Sequence, residues 1–323
     1  MSSTTVLAPT RIDLAGGTLD IWPLTLLVKN PSTLNVAISL EAEVQVTPAK
    51  SWEVVAEDID VSVAFQGLDD PVLDRLPLIR EVLHSTPLKE PLHIRTHSAV
   101  PLGSGLGGSS TLVVALLKAL DPARKGWGLV KEARNIEGGM LRLPPGFQDA
   151  GAAVFGGISH FCWSMKGWER VSRELSSWLS ERMTLVFSGA TRFSGTTNWD
   201  VFKAGFDGDK GVLGSLERIA ISSYEAFEAL INEDVERLAE SLAQEMNARI
   251  HLNSDILSPV MEEQIEASLG AGALVGKVCG AGGGGCFLLL HPPARREAIA
   301  QTVEEKGGTV LAATPQSKGV RTI

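Results

Sequence analysis

The chain is short of positive charge. Across 323 residues, 29 Lys and Arg face 38 Asp and Glu, a formal net charge of −9. A nucleic-acid surface needs a basic patch, so this balance argues against that class of partner. It does not exclude phosphate binding, which backbone amides and a metal ion can supply locally. Cysteine is scarce as well: Cys162, Cys279 and Cys286 are an odd number with no C-x-x-C pair. That argues against a disulfide framework and a zinc site and points to a reducing compartment. No apolar run reaches the length of a membrane span. Met1-Ser2-Ser3-Thr4-Thr5 lacks the basic start of a secretion signal, so a cytoplasmic location without a membrane partner is expected. Repeats and low-complexity tracts are also lacking. The P-loop pattern G-x-x-x-x-G-K-[ST] does not occur, since Gly276-Lys277 runs into Val278. Neither His-Arg-Asp nor Asp-Phe-Gly occurs, which excludes a protein kinase. What remains is a globular composition, 44% hydrophobic and 21% charged, long enough for two domains.

The densest signal is Pro101-Leu102-Gly103-Ser104-Gly105-Leu106-Gly107-Gly108-Ser109-Ser110, followed by the apolar run Thr111–Leu120. Upstream, Leu92–Ser98 alternates apolar and polar residues as a strand does. The run from Thr111 predicts a buried helix, with Ser109 or Ser110 as its N-cap. Strand, glycine loop and helix N-terminus together make an anion site, because the first helical N–H groups lack partners and glycine lets backbone close on a phosphate. A plain turn needs one or two glycines, not four in six residues. Gly103-x-Gly105-x-x-Gly108 also fits the dinucleotide fingerprint. A Rossmann unit would place a second strand before an acidic residue about 20 positions on; here the helix runs out at Asp121-Pro122 instead.

Other stretches surround this loop. Val6–Asp20 reads as strand, short strand and glycine turn, with Arg11 and Asp13 on one strand face. Thr33–Val46 and Trp52–Phe65 are β-rich, and Pro71–His84 reads as one amphipathic helix. Val130–Gly139 predicts a helix carrying Glu137. The segment from Pro144 to Ile158 carries Asp149 among small apolar residues. Helices are expected over Leu213–Ile231, Val235–Ile250, Pro259–Leu269 and Pro293–Glu305. A second glycine loop, Cys279–Cys286, joins two core strands. Trp22 and Trp199 are expected in the core.

Three of these motifs resemble, in order, those of the GHMP kinases, the family of galactokinase, homoserine kinase, mevalonate kinase and phosphomevalonate kinase. Pro101, Gly105, Leu106, Gly107 and Ser109 fall on the central motif. Arg11 and Asp20 match the first motif, closest to the heptose-phosphate kinase and fucokinase branch, and Gly280–Gly285 match the third. The resemblance implies an α/β (α+β) two-domain fold, with a ribosomal-S5-like N-terminal domain over residues 1–180 and a ferredoxin-like C-terminal domain over 181–323. It implies ATP and Mg²⁺ as donor and cofactor. Pro101, Gly103, Ser104, Gly105, Leu106, Gly107, Gly108, Ser109 and Ser110 would hold the nucleotide. Glu137 with Ser109 or Ser110 would hold the metal. Asp149 and Arg11 would be catalytic. Gly17, Thr18, Asp20, Arg192, Gly282 and Gly283 would meet the acceptor. That acceptor is expected to be a sugar or sugar phosphate, bound by a monomer or homodimer; the rival acceptor is a mevalonate-type acid. A nicotinamide dehydrogenase and a GHMP-fold sensor without turnover are the rivals from other classes, and Asp149 argues against the sensor.

Overall fold

The computed structural model describes residues 3–142, 144–174, 176–191 and 197–323. The first half of the chain supplies β1 (Thr4–Ala15), β2 (Ser32–Pro48), β3 (Trp52–Ala56), β4 (Val61–Phe65), α1 (Pro77–Ser85), β5 (Leu92–Ser98), α2 (Gly108–Leu120), α3 (Gly126–Leu141), α4 (Gln148–Phe155), β6 (Ile158–Ser164) and β7 (Gly167–Arg173). The second half supplies α5 (Ser177–Ser180), β8 (Met183–Phe187), α6 (Thr197–Phe206), α7 (Lys210–Ile231), α8 (Val235–Leu252), α9 (Pro259–Gly270), β9 (Val275–Val278), β10 (Cys286–Leu290), α10 (Arg296–Glu305), β11 (Thr309–Leu311) and β12 (Arg321–Thr322).

β1 and β2 form the spine, paired antiparallel from Thr4↔Val46 to Ala15↔Leu34. The 17-residue β2 serves two further partners: Ser32–Val36 pair with β6, and Ala42–Pro48 pair with β5. The larger sheet runs β12-β1-β2-β5-β3-β4, with β6 and β7 branching from β2. The outer parts of the spine, Val6, Ala8, Val44 and Val46, pack with α1–α4 into one core. The inner parts, Ile12, Leu14, Leu34, Val36 and Ile38, pack into a second core against Leu185, Leu288 and Leu290 of the smaller sheet. That sheet, β11-β8-β10-β9, is antiparallel throughout. Strand alternation on β10 sends Leu288 and Leu290 toward the spine, and Phe287 and Leu289 toward α9 and α10.

The tail after β11 returns to the larger sheet. Ser39 N–H donates to Thr314 O (2.8 Å), Gln316 N–H to Ala37 O (2.8 Å) and Val320 N–H to Ala153 O (2.7 Å). β12 then pairs with β1 at Val6↔Thr322 and Leu7↔Arg321.

Several local expectations change. The helix expected over Pro71–His84 is two pieces, a 3₁₀ turn Pro71–Arg75 and α1. Pro77 has no N–H and pushes Leu76 out of the helical region (φ −130°, ψ 61°), so the chain restarts there. Pro293–Glu305 divides likewise into a 3₁₀ turn and α10. Neither serine caps α2: Gly107, in the left-handed region at φ 78°, starts it, and both serines fall inside the first turn. Trp22 and Trp199 are 49% and 64% exposed, since Leu19, Leu24, Val201 and Phe202 fill the core beside them.

Candidate active site

Glycine at three alternate positions shapes the loop before α2. Gly103, Gly105 and Gly107 all have positive φ (68°, 74° and 78°), a conformation that costs other residues about 1 kcal/mol or more. The first α2 hydrogen bond from the loop side is Thr111 N–H to Gly107 O (3.0 Å). The N–H groups of Gly108, Ser109 and Ser110 thus open the helix as unpaired donors. They face a cavity of about 690 Å³ that Pro101–Gly105 and Gly107–Ser110 line and that Leu76, Ile79 and Leu141 wall with apolar surface. Leu106 does not line it; it is fully buried, and its carbonyl accepts from Arg11 N–H (3.1 Å).

The space that glycine leaves at position 105 is filled by protein. A Cβ on Gly105 would lie 2.5 Å from Cys279 O, one on Gly280 2.7 Å from Gly105 O, and one on Gly285 2.7 Å from Gly103 O. Cys286 N–H donates to Ser104 O (2.8 Å). The two glycine loops are therefore interlocked backbone to backbone. In the second loop, Gly280 and Ala281 line the cavities, whereas Gly282 sits against Ile256 and Gly283 N–H donates to Ile256 O (2.7 Å).

Arg11 projects from β1 into this junction. Its Nε donates to Asp149 Oδ1 (2.8 Å), Nη2 lies 2.6 Å from the same oxygen, and Nη1 donates to Gly105 O (2.6 Å). Burial pulls its pKa down, but the charges of Asp149 and Asp13 outweigh burial and hold it above the ordinary value. Asp149 stands in the first turn of α4, its side chain 28% exposed, with Oδ2 not engaged by Arg11. Asp20 acts on the backbone instead. Its Oδ2 accepts from the N–H groups of Phe147 (2.8 Å) and Gln148 (3.0 Å), capping α4 across 127 residues of sequence. Burial, reinforced by the charges of Asp149 and Asp13, pushes its pKa up to about 6 against the pull of those two N–H groups. Glu137 on α3 is 8% exposed and accepts from Ser110 Oγ. Burial raises its pKa while the Ser110 and Ser109 hydroxyls oppose.

A second cavity of about 150 Å³ lies beyond Arg11. Gly17, Thr18, Asp20, Asp149 and Gln148 line it, together with Asp13 and Arg249. The two cavities share Arg11, Ile21, Gly146, Asp149, Gly280 and Ala281. Of the residues expected at the acceptor, Gly17, Thr18 and Asp20 line this cavity, Gly282 and Gly283 do not, and Arg192 lies outside the described residues.

Sequence reasoning misses a buried ion cluster behind the second cavity. Asp13, Glu245, Arg249 and Lys277 are at most 5% exposed. Arg249 donates to Asp13 Oδ2 (3.2 Å), and Lys277 Nζ lies 3.3 Å from Glu245 Oε2. A signal was available: Leu238, Leu242, Glu245 and Arg249 follow 4-3-4 spacing on α8, so two charges occupy positions of the apolar stripe.

Comparison with known proteins agrees with this geometry. The GHMP kinases N terminal domain model matches residues 76–157 and the GHMP kinases C terminal model residues 226–309, together about half of the chain. The chain is 28% identical to D-glycero-alpha-D-manno-heptose 7-phosphate kinase of Campylobacter jejuni, over 97% of this chain and 96% of that one. It is 26% identical to the bifunctional fucokinase/GDP-fucose pyrophosphorylase of Arabidopsis thaliana, over 94% of this chain and 31% of that one. The crystal structure of a D-glycero-D-manno-heptose 1-phosphate kinase from Bacteroides thetaiotaomicron superposes with a TM-score of 0.78 at 24% identity, covering 99% of this chain and 98% of that one. With interlocked glycine loops, paired cavities and both family models matched in order, this chain belongs to the GHMP kinase family.

Proposed function

We propose that the chain transfers the γ-phosphate of ATP to a hydroxyl of a sugar or sugar phosphate. The observation that carries this reading is the shared wall: a large cavity with helix N-terminal donors meets a small polar one at Arg11 and Asp149. ATP fits the larger, its phosphates on the α2 N-terminus and its base against apolar wall. A polyol fits the smaller, where carboxylates accept from hydroxyls. The sugar assignment is supported by the heptose-phosphate kinase and fucokinase relatives. In this reading residues 1–180 supply the nucleotide site and 181–323 close it.

Phosphoryl transfer needs positioning and charge neutralisation more than covalent chemistry. The acceptor oxygen bonds to the γ-phosphorus as the bond to the bridging oxygen breaks, ADP leaves, and the hydroxyl gives up its proton. Asp149 Oδ2, not engaged by Arg11, orients that hydroxyl or takes the proton. Arg11, fixed by Asp149 and Gly105 O, holds positive charge where the transferring group gains negative charge. The residues present fit Mg²⁺: Glu137 and the hydroxyls of Ser109 and Ser110 are hard oxygen donors beside the anion site. Among the described residues no group of three His, Cys, Asp or Glu could hold a metal, which suits an ion bound by one or two protein ligands and phosphate oxygens. When bound, the ion would shield phosphate charge.

ADP release should be measured with ATP, Mg²⁺ and a panel of hexoses, heptoses, their phosphates, mevalonate and phosphomevalonate. Turnover with a sugar or sugar phosphate is expected. Turnover with mevalonate or phosphomevalonate alone would overturn the reading.

A further inference from the structure

Four ionisable side chains from β1, α8 and β9 are buried together. Taking such charges out of water costs several kcal/mol each, and well-packed apolar residues are often as stable in their place. Stability is therefore a weak reason for the cluster, and its position supplies a better one. Arg249 joins two walls. Nη1 donates to Asp13 Oδ2 (3.2 Å), and Nη2 donates to Gly280 O. Asp13 lines the smaller cavity, and Gly280 lines both. Gly280 in turn lies against Gly105, whose carbonyl Arg11 holds. The contacts close a ring, since Arg11 and Asp13 stand two residues apart on one face of β1. The ring runs from Asp13 through Arg249, Gly280, Gly105 and Arg11, and Asp149 hangs from Arg11.

Glu245 and Lys277 complete the charge balance and flank the ring without being links in it: Glu245 Oε1 lies 3.7 Å from Arg249 Nη1. Lys277 Nζ lies 3.3 Å from Glu245 Oε2 and 3.8 Å from Asp13 Oδ2, and it donates to Val278 O (2.9 Å). Neither residue lines either of these two cavities. The guanidinium matters for its shape: a planar fork reaches a carboxylate and a carbonyl in fixed directions, and an ammonium does not.

We propose that Arg249 is a positioning residue that clamps the second glycine loop to β1, so that nucleotide bound on the first loop also orders the second and sets Arg11 and Asp149 for transfer. The proposal rests on the kinase reading above. Its test is hydrogen exchange of the full chain with and without AMPPNP and Mg²⁺. The wild-type protein should gain protection over 103–110 and over 279–286. Arg249→Lys should bind AMPPNP within about threefold of wild type, keep protection over 103–110, and lose it over 279–286; turnover with whichever panel sugar is active should fall at least 30-fold. Glu245→Gln/Lys277→Met also removes buried charge but leaves the ring, and should keep protection of both loops. Should Arg249→Lys not fold, the charge-balanced Asp13→Asn/Arg249→Gln pair serves in its place with the same expectation. Unchanged protection of 279–286 in the Arg249 variant would overturn the proposal. So would its loss in Glu245→Gln/Lys277→Met, because that would trace the effect to buried charge in general. Failure of wild-type protein to bind AMPPNP would instead sink the kinase reading, and the proposal with it.

Discussion

The two glycine loops look alike in sequence and differ in what their glycines do. In the first, the glycines turn the chain so that α2 presents its N–H groups to the large cavity. In the second, they let one backbone lie on another: Gly280 and Gly285 against the first loop, Gly282 against Ile256. In the kinase reading the first loop makes the anion site, and the second packs against it backbone to backbone. A glycine count thus marks where backbone comes close, without saying whether its neighbour is a ligand or the protein itself. Gly105 belongs to both classes, since it lines the large cavity while its missing Cβ points at Cys279 O.

The largest expected effect lies where the loops meet the chemistry. Asp149→Asn keeps the volume and removes the charge, so kcat should fall about 10³-fold, in the range of losing an acid–base or electrostatic group. AMPPNP affinity should stay within a few-fold, because the proposed anion site lies on α2. A near-normal turnover rate would separate Asp149 from catalysis. Gly105→Ala tests the interlock. Its positive φ and its 2.5 Å approach to Cys279 O should together cost about 3 kcal/mol of stability, read as a clear fall in Tm. Gly208→Ala is the control, with φ +81° and nothing within 4 Å, and should cost only about 1 kcal/mol. Equal falls would mean that the loops do not constrain each other.

A smaller effect concerns Asp20. Its folded-state pKa, about 6, lies above the ordinary 3.8, so its stabilising contribution is complete below pH ~3.8 and is lost as pH rises through 6. At pH 7.5 the ionised carboxylate should cost about 2–3 kcal/mol, since each tenfold change in its proton affinity is worth about 1.4 kcal/mol. Asp20→Asn retains an oxygen for the Phe147 and Gln148 N–H groups and should recover most of that cost at pH 7.5, with little change at pH 4. Denaturant unfolding at both pH values reads the difference. Buried His160, its pKa pushed down to about 4 by desolvation, acts with the opposite sign, losing stability as pH falls below about 6.5. Only the wild-type-minus-variant curve isolates Asp20. An Asp20→Asn protein no more stable than wild type at pH 7.5 would show that burial does not burden this carboxylate.

The elements were largely legible because their periodicity is strong: β5, α7 and α8 each lie within a few residues of their expected spans. The glycine loop and its helix were legible too, as was the common face of Arg11 and Asp13. The Arg11–Asp149 contact spans 138 residues, and no local pattern encodes a pairing at that distance. Asp20 illustrates a further limit. A residue that caps its own helix leaves a local signature, but one that caps a helix 127 residues away leaves none. The buried cluster was missed for a different reason: charges on a helical stripe are ordinarily read as solvated, and only the return of β9 alongside α8 buries them.

The returning tail has a consequence for synthesis. Val6 on β1 leaves the ribosome more than 300 residues before Thr322, its outer neighbour, is made. At roughly 5–20 residues per second, that edge waits about 15–60 s for its partner. Throughout that interval the nascent chain offers an open strand to any neighbouring polypeptide. Folding on the ribosome can bury most of the first core, but it cannot seal β1; the seam closes only when β12 arrives.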